Sequence, residues 1–260
     1  MVDARQAAYL QALGVDVYVP RSAPPWQQDE VAAEATAPAV PAAPGPSPFV
    51  AARTDEKALH PDIAANLGWD ELRAAVAGCQ LCDLHATRTQ TVFGVGNRQA
   101  RWMFIGEAPG AEEDRQGEPF VGRAGQLLTS MIRALGLRRE DVFIANVLKC
   151  RPPDNRDPKP SEAASCRRYL ERQVALVNPT LVIAVGRIAA QNLLATETPI
   201  AKLRGKVHSF GAQAWPVVVT YHPAYLLRSP GEKRKSWQDL LHARQLFGRL
   251  EQESASGGRA

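Results

Sequence analysis

The chain has 260 residues, 31 Lys and Arg against 27 Asp and Glu, a formal charge of +4 and 45% hydrophobic side chains. This apolar content is too high for wholesale disorder, and the length suits one ordinary domain with or without an extension. No run of 18 apolar residues occurs, and the leader MVDARQAAYLQ has an acid at Asp3 and no apolar stretch, so neither a membrane span nor a secretory signal is expected, and the protein is expected to be cytoplasmic.

Residues 4–14 read as a short amphipathic helix, with Ala7, Leu10 and Leu13 at a spacing of three and Gly14 at its end. Residues 1–22 are thus expected to be a short helical leader. Residues 23–66 read as a flexible linker, because 31–52 alone hold nine Ala and five Pro and have little to bury. A tethered helix of this kind is expected to pack weakly on its own domain or fray, with docking on a protein partner the alternative. Charge divides at the same place. Residues 1–65 carry four basic and eight acidic side chains, which leaves 27 basic and 19 acidic in 66–260, a net +8. A basic globular part is compatible with nucleic-acid binding.

From Trp69 the pattern is that of an α/β domain, expected over 67–252, with a disordered tail at 253–260. A helix is expected at Trp69–Gly78, then a buried strand at Arg101–Gly106 and a helix at Ala124–Leu135. A second strand at Val142–Val147 precedes a helix over Ser161–Val177 with Ser161 as N-cap. A third strand, Leu181–Val185, leads through Gly186 into the helix Arg187–Leu194. The fourth is Val217–Tyr221, and Ser236–Leu250 is the last helix. Four aliphatic runs separated mainly by helices predict a three-layer αβα fold around a central, largely parallel four-stranded sheet. Ligands of such sheets bind beyond the carboxyl ends of the strands, so the segments after each strand carry the functional expectation.

Four cysteines punctuate this domain: Cys79 and Cys82 as C-x-x-C, then Cys150 and Cys166. A reduced compartment argues against two disulfides, and four thiolates suit one tetrahedral metal ion or one iron–sulfur cluster. The wide second spacing is unlike a zinc ribbon, but spacing alone leaves zinc and iron–sulfur open.

After the first strand comes GEAPGAEEDRQGEPFVGRAGQLL (106–128), where Gly106, Pro109 and Gly110 shape a tight turn. After the second comes NVLKCRPPDNRDP (146–158), and after the fourth YHPAYLLRSP (221–230). Together with the cysteines, these segments resemble the family 4 uracil-DNA glycosylases, the iron–sulfur branch of their superfamily, over about residues 69–250. The resemblance implies a 4Fe-4S cluster of structural role on Cys79, Cys82, Cys150 and Cys166. It implies an enzyme, expected to be a monomer, that binds uracil-containing DNA, flips the uracil out and hydrolyses its N-glycosidic bond in base excision repair.

By the same resemblance His222 donates to uracil O2 as negative charge develops, Phe120 stacks on the base, and Asn146 reads its edge. Gly106, Ala108 and Glu113 belong to the motif around the base. Leu226, Leu227 and Arg228 occupy the segment similar to the family's insertion loop and are expected to enter the duplex. Phosphate contacts are expected from Lys149, Arg151, Arg123, Lys206 and Arg228, with Lys233, Arg234 and Lys235 as further candidates. Ala108 cannot orient a water, which leaves Glu107 as the nearest group able to do so. AEEDRQGEPF has no His and no added basic run, so turnover rather than covalent trapping of uracil-DNA is expected. The alternative is a non-catalytic iron–sulfur DNA-binding module of the same fold; the joint presence of Phe120, Asn146 and His222 argues for the enzyme.

Overall fold

The computed structural model describes residues 64–257. The leader helix expected at 4–14 and all but the last three residues of the linker lie outside this range. Within it, chain order runs α1 (Trp69–Ala77), β1 (Val95–Gly96), β2 (Trp102–Gly106), α2 (Ala111–Gln116), α3 (Arg123–Ala134) and β3 (Phe143–Asn146). It continues with α4 (Pro160–Val177), β4 (Leu181–Val185), α5 (Arg187–Leu194), α6 (Ile200–Leu203) and β5 (Val207–Phe210), and ends with β6 (Trp215–Thr220), α7 (Pro223–Arg228) and α8 (Lys233–Gly257).

All four predicted strands are present and mutually parallel, in the order β3-β2-β4-β6. The sheet has six strands rather than four. β1 and β5 pair antiparallel along its two edges. Neither carries a buried apolar run: β1 is two residues long, and three of the four β5 residues are at least partly exposed.

Side chains alternate across the central strands and so build two core layers. Met103 and Ile105 of β2 and Val182 and Ala184 of β4 meet the apolar sides of α1, α4 and α5. Trp102, Phe104, Leu181 and Ile183 point the other way, against Leu128 and Ile132 of α3 and Leu240 and Leu246 of α8. This is the expected three-layer arrangement.

Two helix boundaries differ from expectation. α4 is capped at Lys159, not Ser161: Pro160 takes the first helical position, where its missing N–H costs nothing, and Glu162 accepts from the Lys159 amide at 2.8 Å. α8 runs to Gly257, beyond the expected start of the tail at 253. Among the described residues no helix is long and apolar enough to cross a membrane.

Candidate active site

The carboxyl ends of β2, β3, β4 and β6 open onto a cavity of about 790 Å3. Glu107, Phe120, Asn146, His222 and Arg228 all line it, with Ala108 and Glu113. The site residues expected from separate stretches of sequence are therefore brought together.

Gly106 lies beneath Asn146 and Phe120. It ends β2 beside Asn146, its register partner at the end of β3. Beyond the strands the pairing continues through Val147 N to Gly106 O at 2.9 Å and Leu148 N to Glu107 O at 3.0 Å. A Cβ on Gly106 would lie 2.5 Å from both Asn146 Oδ1 and Phe120 Cζ, so glycine is what lets the two groups close over the strand end. Asn146 is almost fully buried, and its Oδ1 has no hydrogen-bond partner among the described residues. A buried orphan acceptor is costly unless a ligand supplies the donor.

Phe120 is 7% exposed and has φ 56°, a left-handed conformation that a bulky residue seldom adopts. Glu113 lies beneath its loop. Glu113 Oε1 accepts from the amides of Val121 at 3.0 Å and Gly122 at 3.1 Å, and Oε2 from that of Gly110 at 3.1 Å. Three backbone donors occupy this carboxylate, so Glu113 shapes the wall of the cavity through the loop.

His222 is the N-cap of α7, and Pro223 is the first helical residue. Its Nδ1 accepts from Ala224 N at 3.2 Å. Use of the Nδ1 lone pair places the ring proton on Nε2, which has no protein partner among the described residues and is available to a ligand. Burial lowers the imidazole pKa to about 4, and the neighbouring Arg228 cation acts in the same direction. The ring is thus a neutral N–H donor at physiological pH. Phe120 and His222 lie with ring centroids 5.6 Å apart. Gly186, at φ 101°, admits the imidazole: a Cβ there would stand 2.8 Å from His222 Cβ.

Glu107 lines the same cavity. Burial pushes its carboxyl up to about 7, with Asp157 adding to the effect and Arg187 opposing it. Asp157 and Arg187 form an ion pair at 2.6 Å and line the same cavity, as do Tyr221 and Tyr225. Arg187 follows the third predicted strand directly, so the strand-end rule pointed to it; its ordinary helical context hid it.

Two expected DNA contacts, Lys149 and Leu226, are placed differently. Lys149 is 1% exposed, and its Nζ donates to Asn146 O at 2.7 Å, so it holds the β3 end in place and does not reach a phosphate. Leu226 is 1% exposed in the core under α7, whereas Leu227 is 37% exposed. One helical step of 100° separates an inward from an outward side chain, and of the two only Leu227 is presented to solvent. Arg151 is folded onto its own loop, with Nε donating to Asn155 Oδ1 at 2.8 Å.

Cys79, Cys82, Cys150 and Cys166 line one small hollow with Arg88, Lys149 and Tyr169. Among the described residues no group of three or more His, Cys, Asp or Glu is placed to hold a single metal ion. The donor set nevertheless suits anionic sulfur. Arg88 Nη1 donates to Cys150 Sγ at 3.1 Å and Lys149 N to Cys166 Sγ at 3.3 Å. Lys149 is buried beside Cys150 and Cys166; burial lowers its ammonium pKa to about 8 and raises both thiols. Four cysteine sulfurs thus border one hollow, with two N–H donors directed at them.

The profile of the uracil DNA glycosylase superfamily matches residues 93–241. The chain is 46% identical over 188 residues to a type-4 uracil-DNA glycosylase of Archaeoglobus fulgidus, covering 69% of this chain and 94% of the relative. It is 47% identical over 156 residues to a type-4 uracil-DNA glycosylase of Thermotoga maritima, covering 59% and 80%. A type-5 uracil-DNA glycosylase of Thermus thermophilus is 35% identical over 119 residues, covering 40% and 54%. The profile match takes in every strand of the sheet and every strand-end segment that lines the cavity; the chain belongs to the uracil-DNA glycosylase superfamily, on its type-4 branch.

Proposed function

We propose that this chain is a DNA repair glycosylase that flips uracil out of DNA and hydrolyses its N-glycosidic bond, leaving an abasic site. The observation that carries this reading is the meeting of Phe120, the unpartnered Asn146 Oδ1 and the neutral His222 in one cavity. The extruded base stacks on Phe120. Asn146 Oδ1 accepts from N3–H while its amide nitrogen donates to O4, and cytosine, with the opposite pattern, leaves both groups unpaired. As the bond from the sugar C1′ to N1 breaks, its electron pair passes to the uracil ring and onto O2. His222 Nε2–H donates to that oxygen, an effect worth ~3–4 kcal/mol for one such donor. Water adds at C1′, and its proton passes to the Glu107 carboxylate. Arg228 and Leu227 face the duplex, where Leu227 fills the vacated stack. All of these groups come from one chain, and the enzyme acts as a monomer.

Cys79, Cys82, Cys150 and Cys166 would hold a 4Fe-4S cluster. Its contribution would be structural, since Cys150 lies just after β3, which ends at Asn146, Cys166 lies in α4, and Cys79 and Cys82 follow α1.

The test is incubation with a uracil-containing oligonucleotide followed by alkali. Strand scission is expected for the wild type, with His222→Ala slower by about 100- to 1000-fold. Equal rates in the two proteins would overturn the assignment.

A further inference from the structure

The left-handed conformation of Phe120 requires an explanation. A non-glycine residue there is strained, and such strain persists only where the surroundings over-determine it. Phe120 has two flanking peptide groups, and each is gripped by a different charged side chain. The peptide before it presents the Pro119 carbonyl to Arg139, whose Nη2 donates at 2.5 Å. The peptide after it presents the Val121 N–H to Glu113 Oε1 at 3.0 Å. The orientations of these two planes together define φ and ψ of the residue between them. Arg139 is itself anchored, since Nη1 reaches Thr129 Oγ1 of α3 at 3.4 Å. Gly125, one turn into α3, allows the close approach: a Cβ there would stand 1.8 Å from Phe120 O.

We propose that Arg139 is a positioning residue for base recognition, acting with Glu113 as a two-sided clamp that holds the Phe120 ring against the strand end at Gly106. Arg139 touches neither the cavity nor the reacting atoms; it acts through the peptide before Phe120. This rests on the stacking role given to Phe120 above. Loss of the guanidinium lets that peptide rotate, φ relaxes toward negative values, and the ring leaves the face of the base.

A double-mutant cycle on single-turnover uracil excision tests the idea. Arg139→Met is expected to slow excision about tenfold in the wild-type background, since misplacement of a positioning group is costly, and by less than about twofold in a Phe120→Ala background. Arg139→Lys, which retains one cationic donor for the Pro119 carbonyl, is expected to recover most of the loss. A merely structural role for Arg139 predicts equal losses in both backgrounds, and that result overturns the clamp. Amide hydrogen exchange gives a readout independent of activity. Arg139→Met is expected to speed exchange at Val121 and Gly122 while leaving β4 and β6 amides protected; unchanged exchange at those two positions also overturns it. A wild-type protein that releases no uracil would instead refute the functional reading beneath it.

Discussion

Gly106 and Asn146 are register partners at the ends of β2 and β3, and one added methyl on Gly106 would sit 2.5 Å from the Asn146 side-chain oxygen. The same methyl would meet the Phe120 ring at 2.5 Å. Both neighbours are tied down, Asn146 through the Lys149 contact on its carbonyl and Phe120 through its flanking peptides. Gly106→Ala is therefore expected to lower single-turnover excision by about 100-fold, the scale of a misplaced recognition group. The melting temperature should fall by only a few degrees, because the sheet itself is not interrupted. A variant with normal excision would show that the strand end does not need this closeness.

Two ionisable groups in the cavity respond to pH in different ranges. Glu107 titrates at about 7 and His222 at about 4. If the Glu107 carboxylate takes the water proton, the excision rate rises as pH passes upward through about 7, and Glu107→Gln removes that limb. His222 stays a neutral donor until pH approaches 4 and adds no limb above it. Stability follows by linkage. The Glu107 carboxyl is raised in the fold, so its contribution is full below pH 4.5 and is lost as pH rises through 7. Glu107→Gln should then be more stable than wild type at pH 8, by up to about 2 kcal/mol, and similar at pH 4.5. His222 is depressed, so its contribution is lost as pH falls below 6.5 toward 4. Urea titrations at pH 4.5, 6 and 8 separate the two groups.

The parts of this site that were legible in the sequence are those with a repeated local signal. Runs such as WMFI and LVIAV announce buried parallel strands, and that topology sends Glu107, Asn146 and His222 to one edge. Tertiary packing settled the rest. Lys149 reads as a phosphate ligand beside Arg151 in a basic stretch, yet the cysteine hollow next to it accounts for its burial. Leu226 and Leu227 are chemically alike, and only the phase of α7 tells inward from outward. Arg139 lies on a short 3-10 turn between predicted elements, and its partner Pro119 is twenty residues away. No local pattern encodes such a contact. β1, with two residues, has no periodicity to detect.

The cysteine hollow makes a separate prediction about composition. Purified without air, the protein is expected to carry about four irons per chain and a broad visible absorption band. Cys166→Ser should lose most of the iron, because the replaced thiol lies at the buried end of the set beside the Lys149 amide. Thermal stability should fall with it, since a cluster that binds only the folded chain adds its binding free energy to folding. Excision should decline as the β3 end loosens around Asn146. Zinc in place of iron by elemental analysis, with no visible band, would contradict the cluster while leaving the glycosylase chemistry intact.

The wall of the cavity at Tyr221 rests on a buried ion pair. Arg204, just after α6, meets Asp239 of α8 with Nε to Oδ2 at 2.7 Å and Nη2 to Oδ1 at 3.0 Å. The Asp239 side chain is 3% exposed, and the guanidinium also lies over the Tyr221 ring, 4.3 Å from its centroid. Removing one partner of such a pair leaves the other charge buried alone, at a cost of about 3–5 kcal/mol. Arg204→Met is therefore expected to destabilise the protein by about that amount in urea unfolding. Burial already raises the Asp239 carboxyl despite the arginine, so the carboxylate is the more costly group to strand. Asp239→Asn combined with Arg204→Met should then recover a large part of the loss, a non-additivity expected of direct contact. Because Tyr221 immediately precedes His222, the single variant should also slow excision, and the double variant should restore it in step with stability. If the two losses simply add, the pair contributes nothing through direct contact, and the support for Tyr221 must come from the helix packing alone.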